Sequence, residues 1–193
     1  MSDSVEDTEE VLRVFVDALE AADVPYMLTG SFASGYYGHS RSTQDVDFVI
    51  MPTPDQLRAL VASFPDPLFY VDLEAAMEAL RESAQFNVID RENAYKADFI
   101  IRKPYPFNQE EFNRRVSATI SGVPLVVASA EDVLLSKLQW SKLGGSLRQI
   151  EDAAGILELR KDSLDRAYIE GWVERLDLGD QWRTTLESAR LDL

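Results

Sequence analysis

The chain of 193 residues has no cysteine and one histidine, His39. The first absence excludes a disulfide framework, a thiolate metal site and a cysteine nucleophile. The second excludes a multi-histidine zinc site and leaves little room for histidine acid/base catalysis. Basic residues are also scarce: 19 Lys and Arg stand against 34 Asp and Glu, a formal net charge of −15. Such a chain is not expected to coat DNA by bulk electrostatics, so a polyanionic substrate would need a local basic patch or metal ions. Long apolar runs are missing as well. The opening MSDSVEDTEE is acidic and lacks the apolar segment of a secretory signal, and no later stretch is long enough to span a bilayer. A cytoplasmic location without membrane attachment is the resulting expectation. What remains for chemistry is carboxylates, lysine, arginine and hydroxyls.

The apolar periodicity predicts an α/β (α+β) chain. Residues 4–22 read as a helix through Leu12, Phe15, Val16 and Leu19, with Ser4 as N-cap and Pro25 beyond its end. Tyr26 to Thr29 reads as a buried strand running into Gly30 and Ser31, then a short helix over 32–37 and a polar loop over 39–44. Asp45 to Ile50 is a second strand, followed by helices through Leu57–Val61 and over 73–81. A hairpin is expected from 86–90 and 95–101, and a second strand pair from 116–120 and 124–127. From Ser129 onward only helices are expected, with Ser129 and Ser146 as caps and Gly144-Gly145 as a break. The division predicted is 1–128, a mixed sheet flanked by helices, and 129–193, a helical bundle packed on that core.

The most informative stretch is LTGSFASGYYGHSRSTQDVDFVI. Asp45 and Asp47 lie one residue apart in an otherwise apolar strand and so point to one face. Two neighbouring carboxylates repel unless a cation or donor neutralises them, which makes a poor core and a good seat for a divalent metal. Gly30 permits a tight turn and close approach to a phosphate, and Ser31 offers an amide and a hydroxyl at a helix N-terminus. Mg²⁺ suits the pair of acids because it favours oxygen ligands and is commonly held by a few carboxylates together with substrate phosphates.

An apolar strand ending in Leu28-Thr29-Gly30-Ser31, followed by Asp45-Val46-Asp47-Phe48-Val49-Ile50, resembles the DNA polymerase β-type nucleotidyltransferase superfamily. The resemblance implies Mg²⁺, with Mn²⁺ as an alternative, an NTP substrate, and a third carboxylate from a later strand that helps activate the attacking hydroxyl. Asp98, in Tyr95-Lys96-Ala97-Asp98-Phe99, is the natural candidate for that metal-binding third acid. Asp90 competes, but its place at the hairpin edge suits a turn-favouring acid.

A narrower resemblance spans most of the chain. Arg41-x-Thr43-x-Asp45-x-Asp47, then Ser129-x-Glu131-Asp132 with Lys137, then Arg148 with Asp152, is similar to the AbiEii-type nucleotidyltransferases of toxin–antitoxin and phage-defence systems. Gly30-Ser31 replaces the Gly-Gly often found there. The likeness implies that Lys137 and Asp152 complete a nucleotide site with Arg41 and Thr43, that the acceptor is an RNA or tRNA end or a protein, and that an antitoxin partner exists. Spacing agrees with the pairing: across a Gly144-Gly145 turn, Lys137 and Asp152 fall at similar heights on adjacent helices. Taken alone, they would read as a surface ion pair, Arg41 and Thr43 as loop residues, and His39 as packing. Tyr36, Tyr37, Trp140, Trp172 and Trp182 read as core or interface aromatics, with Tyr36 or Tyr37 available to stack on a base. Arg102-Lys103 and Arg114-Arg115 read as a solvated rim or as a lane for an RNA acceptor. Transfer to an aminoglycoside-like small molecule and a non-catalytic nucleotide-binding or antitoxin module are the alternatives.

Overall fold

A computed structural model describes the backbone of residues 3–190 and the side chains of residues 9–190. Its elements in chain order are α1 (Asp3–Ala21), β1 (Tyr26–Thr29), α2 (Gly30–Tyr37), β2 (Asp45–Ile50), α3 (Pro54–Ala62), β3 (Phe69–Tyr70), α4 (Leu73–Glu82), β4 (Gln85–Asp90), β5 (Lys96–Ile101), α5 (Pro106–Asn113), β6 (Val116–Ile120), β7 (Val123–Val127), α6 (Ala130–Gly144), α7 (Leu147–Arg160), α8 (Arg166–Arg175) and α9 (Gly179–Ser188). The expected mixed α/β class is the observed one. The cap expected at Ser4 falls outside the described side chains. Two short elements, β3 and α5, carry too little periodicity to be seen in the sequence.

The chain forms two compact units: the described part of Met1–Leu28 with Thr43–Val127, and Thr29–Ser42 with the described part of Ala128–Leu193. The boundary differs from a single cut after residue 128, because residues 29–42 belong with the C-terminal helices.

In the first unit the strands form one sheet in the order β3-β4-β5-β2-β1-β7-β6. β2 runs parallel to β5 and β1 parallel to β7, while β3/β4, β4/β5 and β6/β7 are antiparallel. Period-two alternation sorts the middle of this sheet into two faces. Phe48, Phe99 and Phe86 are in register across β2, β5 and β4, all three are buried, and their rings stack at centroid separations of 5.7 and 5.3 Å. Phe15 of α1 meets Phe48 and Phe99 edge-on at 6.5 and 6.3 Å, so this face carries the aromatic core of the unit. One residue earlier along β2 and β5, and one later along antiparallel β4, the register row is Asp47, Asp98 and Asn87 on the opposite face. The same alternation that builds the core thus places the acids.

In the second unit α6 and α7 form a helix hairpin, with α2 packed on both, α8 on α6, and α9 chiefly on α7. Gly145 sits at φ 64°, a left-handed position that ends α6. Ser129 caps α6 by accepting from the Asp132 amide at 3.2 Å, and its hydroxyl donates to Asp132 Oδ2 at 2.6 Å. Ser146 occupies the N-cap of α7 but makes no side-chain cap bond; Gln149 N donates to its carbonyl instead. Trp172 and Trp182 are buried as expected. Trp140 is not: it is 56 % exposed, because the α6 face that carries Leu134, Leu138 and Ser141 points away from it.

Candidate functional site

Each unit carries its own cluster of charged side chains. In the sheet unit, Asp45 opens β2 opposite Lys96 of β5, and Asp47 lies opposite Asp98. The Lys96 ammonium is 3.3 Å from Asp45 Oδ1 and 3.1 Å from Asp98 Oδ2. Burial alone pulls the Lys96 pKa down, but the hydrogen bond and charge of Asp98, with those of Asp45 behind them, outweigh it and leave it above the ordinary lysine value. Lys96 is therefore a cation at neutral pH. Sequence reasoning missed it, although an outward lysine two residues before an outward aspartate in the same strand was the readable clue.

Asp98 is paired at one carboxylate oxygen and, among the described residues, unpaired at the other. Its Oδ2 takes the lysine, while its buried Oδ1 has no hydrogen-bond partner among the described residues. A buried carboxylate oxygen left without a partner is costly unless a cation or donor fills it. That orphan oxygen and the oxygen-only donor set of Asp45, Asp47 and Asp98 fit a hard divalent ion such as Mg²⁺. Among the described residues no three His, Asp or Glu side chains are drawn in tightly enough to cage an ion; Asp45 and Asp98 share an ammonium instead. Thr43 binds only locally, its hydroxyl lying 3.3 Å from both the amide and the carbonyl of Asp45. Asp90 accepts from the Glu92 and Asn93 amides at 2.9 and 3.0 Å, so it is the turn acid of the β4–β5 hairpin and no part of the acidic row. One member of each basic pair is engaged with local packing: Arg102 Nε donates to Met51 Sδ at 3.2 Å, and the Arg115 guanidinium lies 4.2 Å over the Phe112 ring.

In the helical unit, Asp152 of α7 is the hub. Lys137 Nζ of α6 reaches its Oδ2 at 2.7 Å, and Arg41 meets both its oxygens, Nε to Oδ1 at 3.2 Å and a terminal nitrogen to Oδ2 at 3.4 Å. The same Arg41 nitrogen donates to Ser31 Oγ. Lys137 and Asp152 are 4 % and 7 % exposed at their side chains, so their pairing is not the surface contact that isolated residues would suggest; Arg41 is 29 % exposed. Burial pushes the Asp152 carboxyl up, but hydrogen bonds from Lys137 and Arg41 and their charges outweigh it, and the pKa falls below the usual carboxylate value.

The loop that carries Arg41 is fastened along α7. Gly38 and Gly155 bring backbones into contact: a Cβ on Gly38 would lie 2.7 Å from Ile156 N, and one on Gly155 would lie 2.9 Å from the His39 ring. His39 Nε2 pairs with Glu158 at 3.0 Å, Arg160 Nε donates to the Tyr37 carbonyl at 3.3 Å, and the Tyr37 hydroxyl donates to the Ala128 carbonyl at 2.9 Å. His39 is thus a fastening residue. Gly30, the first residue of α2, has φ 65°, a left-handed conformation that L side chains rarely adopt, which explains glycine immediately before Ser31.

Of the residues singled out in the sequence, Asp45, Asp47 and Asp98 share one sheet face with Thr43 beside the first. Ser31, Arg41, Lys137 and Asp152 form a single hydrogen-bonded network with Gly30 at its edge.

No protein-family model matches the chain, and no curated protein matches it in sequence. Solved structures do match. An antigenic nucleotidyltransferase-like protein from Paracoccidioides brasiliensis superposes with a TM-score of 0.58 at 18 % identity, over 93 % of each chain. ANT(2'')-Ia, solved in complex with adenylyl-2''-tobramycin, gives 0.60 at 15 % identity over 90 % of this chain and 97 % of its own. The lincosamide antibiotic adenylyltransferase LnuA, lincomycin-bound, gives 0.52 at 11 % identity over 78 % and 96 %. The chain has the nucleotidyltransferase fold.

Proposed function

We propose that the protein is a Mg²⁺-dependent nucleotidyltransferase that moves a nucleoside monophosphate from an NTP to a hydroxyl acceptor. The observation that carries the reading is the row of Asp47 and Asp98 in register on adjacent parallel strands, with Asp45 on the same face and Asp98 Oδ1 lacking a partner. Asp45, Asp47 and Asp98 hold the metal, which supplies charge neutralisation at the phosphates and a lowered pKa at the attacking hydroxyl. Asp98 also orients that hydroxyl and takes its proton. The acceptor oxygen bonds to the α-phosphorus, the bond to the β-phosphate oxygen breaks, and pyrophosphate leaves.

Gly30 and Ser31 offer backbone amides to phosphate at the start of α2. Arg41, the more exposed cation of its network, neutralises phosphate charge, and Lys137 acts through Asp152 to hold the Arg41 fork in place. Thr43 fixes the entry to β2 and so the position of Asp45.

The AbiEii-type resemblance of the sequence supports an RNA or tRNA end or a protein as acceptor, in the cytoplasm and paired with an antitoxin. A specific observation favours a second reading: ANT(2'')-Ia and LnuA are antibiotic-directed proteins of the same fold, and a net charge of −15 suits a cationic small molecule better than RNA. Incubation with Mg²⁺ and α-phosphate-labelled NTPs, with either total RNA or an aminoglycoside panel, tests both. Label in RNA or protein supports the first acceptor, drug-dependent label the second, and no label above the D47N background in any arm rejects nucleotidyl transfer.

A further inference from the structure

Lys96 bridges two of the three acids that the proposed function assigns to the metal. Its ammonium lies within 3.3 Å of Asp45 and 3.1 Å of Asp98, on the face where Asp47 is the next acid in register. The lysine is 35 % exposed, so the stem has room to turn outward, whereas Asp98 at 13 % is held in the sheet. Without a cation, neighbouring carboxylates on one sheet face destabilise each other; with a second, divalent cation, the ammonium faces like-charge repulsion at close range. Both demands fall on one side chain.

Resting on the nucleotidyl-transfer reading of Asp45, Asp47 and Asp98, we infer that Lys96 is a resident counter-cation, which holds the acids in register when no metal is bound and must be displaced when the metal arrives. Lys96 is a positioning residue in this scheme and not a phosphate ligand. A site already bridged by an ammonium binds free divalent ions weakly, so metal enters mainly with the nucleotide, whose phosphates add oxygen ligands and negative charge that the free ion lacks. Loading is thereby tied to substrate.

The test is Mn²⁺ binding to the full chain without nucleotide, followed by electron paramagnetic resonance, together with thermal melting in chelator and in Mn²⁺. A unit charge about 4 Å away at an effective dielectric near 20, discounted for partial exposure, predicts that K96M binds Mn²⁺ on the order of tenfold tighter than wild type. K96R, which keeps the charge, should bind as wild type does. In chelator K96M should melt below wild type, and it should gain more from saturating Mn²⁺. Unchanged or weaker Mn²⁺ binding by K96M, with or without a stability loss, overturns the inference; a loss of NTP affinity at unchanged Mn²⁺ affinity overturns it as well. If wild type binds Mn²⁺ and D98N does not while K96M matches wild type, only the role of Lys96 fails. If neither wild type nor K96M binds Mn²⁺ even with NTP present, the metal site itself, and with it the proposed activity, fails.

Discussion

The two charged clusters are built from the same residue types and differ in what surrounds them. In the sheet unit, Asp45 is 59 % exposed and shares one ammonium with Asp98, which keeps an oxygen without a partner. In the helical unit, Asp152 is almost enclosed and takes three contacts from Arg41 and Lys137. On the proposed function, the half-open carboxylate row with its unfilled oxygen is the one that receives a ligand. An enclosed carboxylate gripped by two cations is arranged to stay as it is. Proximity of acids and bases alone does not distinguish a reactive site from a structural lock; burial and unfilled valence do.

Each cluster can be disabled on its own. The largest effect expected is on activity: D98N should lower nucleotidyl transfer by on the order of a hundredfold or more, while shifting the melting temperature little, since the amide oxygen of the substituted side chain can still accept from Lys96. Transfer assays and melting curves on the same preparation check this. Next is D152A, whose main effect should be on stability, with a smaller loss of transfer because the Arg41 fork loses its anchor. Removing the carboxylate that both Lys137 and Arg41 grip should cost about 3–5 kcal/mol, measured by chemical denaturation, and the double variant K137M/D152L should recover part of it.

A smaller effect follows from the depressed pKa of Asp152. A carboxyl whose folded pKa lies below its unfolded value contributes stability that is complete above roughly pH 4 and is lost as pH falls through the folded value. The wild-type denaturation midpoint should therefore drop on acidification below roughly pH 4 more steeply than that of D152N. Smallest is H39A. The exposed His39–Glu158 pair should contribute less than about 1 kcal/mol, and a larger loss by denaturation would mean that the loop before Arg41 depends on that contact more than on Gly38 and Gly155.

Much of this is readable in the sequence because it rests on local periodicity. β1, β2, the β4–β5 hairpin and the α6–α7 pair follow from alternation, turn residues and helical spacing, and so do the shared face of Asp45 and Asp47 and the meeting of Lys137 with Asp152. What is not readable depends on register between strands or on distance in the chain. That Asp98 stands beside Asp47 is set by the parallel pairing of β2 with β5, and the bridging of Asp45 to Asp98 by Lys96 follows from the same register. The membership of residues 29–42 in the helical unit depends on the close approach of Gly38 to α7, which no local pattern announces. Trp140 departs from its expected burial because hydrophobicity without its helical phase says little about which side of a helix is covered.

The most direct test of the central claim is pyrophosphate release and α-phosphate label transfer from NTP by wild type and D98N, with and without Mg²⁺, across RNA and small-molecule acceptors. The account predicts Mg²⁺-dependent transfer by wild type to one acceptor class, and loss of that transfer in a D98N protein that melts as wild type does. Equal label incorporation by wild type and D98N, or none by wild type with any acceptor, would contradict it.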